Sequence, residues 1–442
     1  VSNTAKRLPE VGPSPALLAA PSKLFVEVTT RCNLNCAMCV KQSPGNSVGD
    51  NHMSPATFAR LGPLFAQLQT LILNGIGEPL LHPQLEDFIR QARRQTPASA
   101  RIAFQSNGLL LTENKAAALG DAGLSQICLS VDGVNPETFR NIRQGGELTG
   151  VQRACEVLAK LRRQEPTLCP ELGVEFVVQQ DNLDELPKVI EWAAGQGASF
   201  AVVTQLLPYS AEQTGQITYD ANTDQAVALY EKWRQRGLQQ QIDITTYSQR
   251  AWASGRSRDK KLLQLVEGLK TEARAQNLFI NVNQLFQRQT AQIEHTLTVF
   301  EEAAATARRV GLDLKLPAVV AQQDRHCRFV EEGGMFIAWD GAVHPCYNLW
   351  HGYRCFINDW ERIVAPKSFG NINSTNSLQV WQGDDFRTFR ENVLRYDYPY
   401  CTSCSVAPCD YIDQDTFEQD CYIREEPCGT CFWGMGLLQC LS

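Results

Sequence analysis

The chain of 442 residues is 43% hydrophobic and 20% charged, with a formal net charge of −7. This is the profile of an ordinary globular protein long enough for two or three domains. The charge has no long run of one sign: Arg256-Ser-Arg258-Asp-Lys260-Lys261 is the densest basic cluster and reads as a solvated helix end, so no nucleic-acid partner is expected. No apolar stretch approaches the roughly 20 residues of a membrane span, and the start, from Val1 to Pro9, has no apolar signal core, so no membrane partner is expected either.

Along the chain, an apolar run over 24–29 reads as a strand. It ends in a loop with three thiols, Cys32-Asn-Leu-Asn-Cys36-Ala-Met-Cys39. A cubane of four irons and four sulfides normally takes four thiolates. Three thiolates hold three irons and leave the fourth open to a substrate or cofactor; a partial zinc site is the competing reading. A polar stretch over 42–54 and a helix over 55–69, capped by Ser54, follow. Strands then alternate with helices: 70–73, ending in Asn74-Gly75-Ile76-Gly77-Glu78-Pro79; helix 83–94; strand 101–105, ending in Ser106-Asn107-Gly108; helix 113–122; strand 127–131, ending in Asp132-Gly133; helix 149–163; strand 173–178; helix 183–195; strand 199–206. Six βα-type units in this order imply a parallel sheet with right-handed crossovers. The polar strand ends then gather where such folds place their sites. Asn-Gly and Asp-Gly are also ordinary turn signals. Cys128, Cys155 and Cys169 read as small buried apolar residues.

The alternation breaks over 211–320. Ala226, Leu229, Tyr230 and Trp233 recur at helical spacing, as do Leu262, Leu265, Val266 and Leu269, and packing is the preferred reading. Beyond it the composition changes: ten of the sixteen cysteines fall between Cys327 and Cys440. Clustering with two-residue gaps favours metal binding in a reducing compartment over disulfides, so a cytoplasmic location is expected. The stretch Phe336-Ile-Ala-Trp339 before Asp340-Gly341 reads as a hairpin. A zinc ribbon from Cys401-x-x-Cys404 and Cys428-x-x-Cys431 competes with iron–sulfur clusters. Among His82, His326, His344 and His351, His344 is expected to hydrogen-bond near sulfur rather than ligate iron.

The spacing of Cys32, Cys36 and Cys39 resembles the radical S-adenosylmethionine (SAM) superfamily, with Met38 where the family often has an aromatic residue. Gly75-Ile76-Gly77-Glu78-Pro79 is similar to that family's Gly-Gly-Glu element, and the next two strand ends follow in the family's order. The resemblance covers about 22–210 and implies an α/β fold, a partial (β/α)6 TIM-like barrel. It implies a [4Fe–4S] cluster on the three cysteines that chelates SAM through its open iron. Gly75, Gly77, Glu78 and Pro79 would meet the SAM amino group. Asn107, Ser130 and Asp132 would face its ribose or carboxylate, and Arg143 is the carboxylate candidate. The thirteen residues from Cys327 to Gly341 and the four from there to Cys346 resemble the opening of a SPASM extension; the later spacings, two and four residues between Cys401, Cys404 and Cys409, are irregular for it.

That resemblance implies two auxiliary [4Fe–4S] clusters. Cys327 and Cys346, with Cys355 as a further candidate, would hold the first, and Cys401, Cys404 and Cys409 most of the second. Cys421, Cys428, Cys431 and Cys440 would complete them in an order the spacing leaves open. The expected organisation is an N-terminal arm (1–21), a radical SAM core (22–210), a helical connector (211–320) and a SPASM-like domain (321–442). The implied activity is reductive SAM cleavage and hydrogen abstraction by a peptide, protein or cofactor maturase. The ending from Cys428 to Cys440 is similar to maturases of tungsten-dependent oxidoreductases. The partners would be a polypeptide or cofactor precursor and a reductant such as flavodoxin or ferredoxin. A sugar or aminocyclitol dehydrogenase and a non-enzymatic electron carrier remain open, and no catalytic base is singled out.

Overall fold

The computed structural model describes residues 14–43, 48–250, 257–414 and 416–441; Arg256 and part of the polar stretch after Gln42 lie outside them. The strands are β1 (Lys23–Val26), β2 (Thr70–Ile72), β3 (Arg101–Ser106), β4 (Gln126–Ser130), β5 (Glu171–Val178), β6 (Phe200–Gln205), β7 (Asp220–Thr223), β8 (Asp313–Lys315), β9 (Val320–Ala321), β10 (Gly334–Ile337), β11 (Val343–His344), β12 (Tyr353–Ile357) and β13 (Trp360–Val364). Nine of them form one sheet in the order β11-β10-β1-β2-β3-β4-β5-β6-β8. Every neighbouring pair in it is parallel except β10 with β11. Strands β2 and β6 are buried throughout, as strands of a helix-covered parallel sheet must be.

Helices supply the outer layer through apolar stripes. In Leu85–Gln95 the buried residues are Leu85, Phe88, Ile89 and Ala92, one helical face. Side-chain caps set several starts: Ser54 accepts from the Thr57 amide, Thr112 from Lys115 and Asn135 from Glu137. The helix expected over 55–69 is two short ones, Pro55–Ala59 and Gly62–Phe65, because Gly62-Pro63 interrupts the backbone ladder.

The strand–helix alternation also does not stop at β6. Helix Thr290–Val310 packs on Leu186–Gly195 and leads into β8, which lies parallel to β6. An insertion therefore separates β6 from its returning helix. Within it, helices Asp224–Gln239 and Ser257–Ala275 pack on each other through Tyr230, Leu262 and Val266, and Trp233 Nε1 donates to Glu272 Oε2 at 2.9 Å. These apolar repeats serve packing.

On the other edge, β10 adds in parallel to β1 and turns into β11. The turn uses Gly341 at φ +86°, where a side chain would also press on Asn371 and Asn373. The C-terminal segment then runs along 316–326: Ala318 donates to Gly436 (2.8 Å), Gln322 to Met435 (3.0 Å) and His326 to Gly434 (2.9 Å). Gln205, at the end of β6, donates to Leu437 (3.3 Å), so the cysteine-rich tail is stitched to the barrel. Among the described residues no helix is long and apolar enough to cross a membrane.

Candidate active site

The three-thiol loop leaves β1 and is fastened on several sides. Thr30 Oγ1 donates to the Gly49 carbonyl (2.6 Å), Lys41 Nζ to the Thr30 carbonyl (2.7 Å), and the Asn35 amide to the Gln144 carbonyl (3.0 Å). Asn107 Nδ2 donates to Asn33 Oδ1 at 2.9 Å, which ties the end of β3 to the loop. Burial pushes the Cys39 thiol up to about 11, and the nearby Cys36 and Cys32 sulfurs push the same way. Thiols bind iron as thiolates, so loading this trio releases protons. Three thiols that act electrostatically on one another along one loop match, in number, a cubane with one iron left free.

The strand ends enclose the loop. Gly77 passes so close beneath it that an added Cβ would lie 2.5 Å from both the Thr29 and Arg31 carbonyl oxygens. Gly75 lies against the Glu27 side chain, where a Cβ would clash. Glu78 is buried. Its Oε1 accepts from Ser106 Oγ (2.7 Å) and the Leu80 amide (3.1 Å), and its Oε2 from the Asn107 amide (2.7 Å). The Glu78 amide donates back to the Arg31 carbonyl (2.7 Å), and Pro79 opens the short turn Pro79–Leu81. Burial pushes the Glu78 carboxyl up, against these donors. Asp132 is fully buried, accepts from the Val177 amide (2.7 Å) and takes Arg143 Nε at 2.5 Å. Burial opposes the Arg143 charge, but Asp132 and Cys36 more than restore it, so its pKa stands above the ordinary value. Arg143 thus sits between Asp132 and the sulfur loop. Ser130 is buried at the end of β4, two residues before Asp132.

The later cysteines sort into two sets of four. Cys327, Cys346, Cys428 and Cys431 act electrostatically on one another; burial pushes Cys327 up to about 12 and raises the other three. Cys401, Cys404, Cys409 and Cys421 form the second set, with Cys401 pushed up to about 12 by burial. Each set offers the four sulfurs a fully ligated cubane takes.

Cys355 and Cys440 stand apart from both sets. Cys355 faces Arg362 across the β12–β13 hairpin and neighbours Tyr209, Tyr219 and Tyr353. Cys440 accepts from Trp433 Nε1 at 3.2 Å and lies toward Glu175. Cys128 and Cys155 are buried, and Cys169 donates to the Leu158 carbonyl at 3.5 Å. His344 Nδ1 hydrogen-bonds the Lys367 carbonyl (2.9 Å). His82 bridges the Met53 carbonyl (3.0 Å) and the Gln84 amide (3.1 Å), and His326 pairs with Glu331 (3.1 Å).

The family model of the radical SAM superfamily matches residues 26–193. The chain thus carries a radical SAM domain. A second model, the SPASM iron–sulfur cluster-binding domain, matches residues 327–405. The chain is 29% identical over 422 residues to the tungsten-containing aldehyde ferredoxin oxidoreductase cofactor-modifying protein of Pyrococcus furiosus, covering 94% of this chain and 96% of that protein. It is 29% identical over 199 residues to a probable GTP 3′,8-cyclase of Methanocaldococcus jannaschii, covering 43% of this chain and 61% of that one. Streptococcus suis SuiB bound to S-adenosylmethionine matches with a TM-score of 0.48 at 12% identity, covering 92% of this chain and 78% of that one. This radical SAM/SPASM chain is therefore an enzyme whose core takes a [4Fe–4S] cluster and SAM and whose SPASM domain takes auxiliary clusters.

Sequence reasoning missed the polar groups on the sheet's inner face. Glu27 is fully buried, accepts from the Ile76 amide (3.0 Å) and pairs with His351 Nε2 (3.0 Å), so the SPASM region reaches into the core. Glu175 lies near Gln105, Asp132, Arg143, Tyr347 and Cys440. Burial pushes its carboxyl up to about 7, against the pull of Arg143. The signal was there: each is a lone acid inside one of the apolar runs 24–29 and 173–178 read from the sequence. A cleft of about 740 Å³ opens beside Met38, Ile142, Gln179 and Tyr209, next to the sulfur loop.

Proposed function

We propose that this radical SAM enzyme is a maturase that modifies a polypeptide or a cofactor precursor, with a tungsten-dependent oxidoreductase or its cofactor as the client. The observation that supports it is similarity to the Pyrococcus furiosus cofactor-modifying protein across 94% of this chain, through core and cysteine field alike. The reading takes a reductant such as flavodoxin or ferredoxin and a cytoplasmic setting, with no nucleic acid or membrane as partner. It keeps the expected arm, core, connector and SPASM-like divisions at 21, 210 and 320, with the connector contributing helix Thr290–Val310 and strand β8 to the core.

On this reading Cys32, Cys36 and Cys39 would hold the cluster that binds SAM, and the chemistry it would supply is reductive SAM cleavage and hydrogen abstraction from the client. The protein's part is orientation and proton control. Arg143, fixed by Asp132 and beside Cys36, would clamp the SAM carboxylate. Glu78 holds the ends of β2 and β3 against the loop, and the missing side chains at Gly75 and Gly77 let Glu27 and the Thr29 and Arg31 carbonyls close in on the strand ends. Asp132→Asn keeps the shape and an acceptor for Val177 but loses the charge on Arg143. It is expected to weaken SAM binding about tenfold, about 1.4 kcal/mol, at unchanged iron content, measured by equilibrium dialysis.

Glu175 is the proton acceptor in this scheme. It is neutral below about pH 7 and ionised above it, so it can take a proton only as pH rises through that range. Product formation should climb through the same range. Glu175→Gln should flatten the climb and lose about 100-fold in product formation, while 5′-deoxyadenosine release continues. A pH profile that Glu175→Gln leaves intact removes Glu175 from the role.

The test of the function is anaerobic incubation of reduced protein with SAM and the immature tungsten oxidoreductase or its cofactor precursor. The client should stimulate 5′-deoxyadenosine release and change mass. Stimulation by sugar or aminocyclitol alcohols instead would establish the dehydrogenase, and a fully loaded protein that leaves SAM intact would establish the electron carrier.

A further inference from the structure

Arg325 lies between β9 and Cys327, where its side chain is 6% exposed. A buried guanidinium is costly unless an anion compensates it. Its hydrogen bonds go to neutral carbonyls: Nη2 donates to Pro399 (2.9 Å) and Gly429 (3.2 Å), and Nη1 to Cys428 (3.4 Å). It also lies 4.1 Å over the Tyr400 ring. Among the described residues no carboxylate pairs with it; its electrostatic neighbours are Tyr400, Cys401, Cys428 and Cys431. Its Nε is buried with no hydrogen-bond partner.

Those three cysteines come from both four-thiol sets. The sets touch here: a Cβ on Gly429, between Cys428 and Cys431, would lie 3.1 Å from Cys401 Sγ. The charge missing around Arg325 is thus the charge two thiolate-ligated clusters would carry, and the unpaired Nε–H is a donor still lacking an acceptor.

We propose that Arg325 is the shared counter-cation of the two auxiliary clusters, a positioning residue that sets both of their potentials. The inference rests on the reading of the two four-thiol sets as cluster ligands. Cluster potential follows local charge and hydrogen bonding to sulfur. A cation beside both clusters favours their reduced forms and raises both potentials. Arg362 is the internal comparison: it is 6% exposed and acts on Cys431 and Cys355.

The experiment is an anaerobic redox titration of the full, reconstituted enzyme followed by electron paramagnetic resonance, with the core signal recognised by its change on adding SAM. Arg325→Gln is expected to shift both auxiliary midpoints to more negative potential at unchanged iron content. Arg325→Lys should fall between that variant and wild type, and Arg362→Gln should shift one cluster alone. Full iron with unmoved potentials in Arg325→Gln, or a shift of one cluster only, overturns the inference. Should Arg325→Gln lose its auxiliary iron, both clusters must go together, and Arg325→Lys must still move both midpoints; loss or movement of one alone overturns it equally. Wild-type protein with only about four irons per chain would instead remove the four-thiol reading and this inference with it.

Discussion

Cys36→Ala is expected to abolish 5′-deoxyadenosine formation and to lower iron from about twelve to about eight per chain. The loss is complete because the loop carries only three interacting sulfurs, with Arg143 beside one of them. The remaining iron should sit on the later cysteines. Cys421→Ser should remove about four irons of a different kind, since Cys421 completes the set of Cys401, Cys404 and Cys409. Cys428→Ser should do the same to the set of Cys327, Cys346 and Cys431. Cys355→Ser and Cys440→Ser should keep every iron, because their sulfurs face Arg362 and Trp433 rather than other thiols. Iron and sulfide analysis with Mössbauer spectroscopy reads all five. Loss of a cluster in Cys355→Ser or Cys440→Ser would break this partition.

The contrast between these cysteines shows what could be read from sequence. Cys32, Cys36 and Cys39 announce themselves because one short loop carries them, and the alternating strands around them follow a local periodicity. The grouping of the later cysteines is not local. Cys327 meets Cys431 only because the tail runs back along 316–326 through backbone hydrogen bonds that any residues could make. Spacing cannot report such a return, so Cys355 and Cys440 looked no different from the rest. The return of strand β8 was hidden for a related reason. The insertion after β6 has its own apolar repeats, whose partners are each other, and they mask the resumption of the barrel at Thr290–Val310. Glu27 and Glu175 were lost inside strands whose apolar neighbours set the reading. Their meaning depends on His351 and Arg143, which approach from elsewhere in the chain.

Gly77→Ala is expected to cost about 100-fold or more in SAM cleavage while leaving the auxiliary iron in place. The added Cβ would stand 2.5 Å from the Thr29 and Arg31 carbonyl oxygens. Both are backbone atoms of the segment that delivers Cys32, so neither can swing aside as a side-chain end would. Overpacking of this kind costs about 1–3 kcal/mol, and the cheapest relief is to lift the sulfur loop off the strand ends. That motion strains the bond from the Glu78 amide to Arg31 and moves the thiols relative to Arg143. A misplacement of about 1 Å in a reacting constellation is worth about 100-fold in rate. Gly215→Ala is the matched control: its added methyl meets nothing within 4 Å, and it should cleave SAM as wild type does. Rates of 5′-deoxyadenosine formation, beside circular dichroism and iron content, separate a displaced loop from an unfolded chain. Equal rates in the two variants would show that the contact between Gly77 and the loop does not position the reaction.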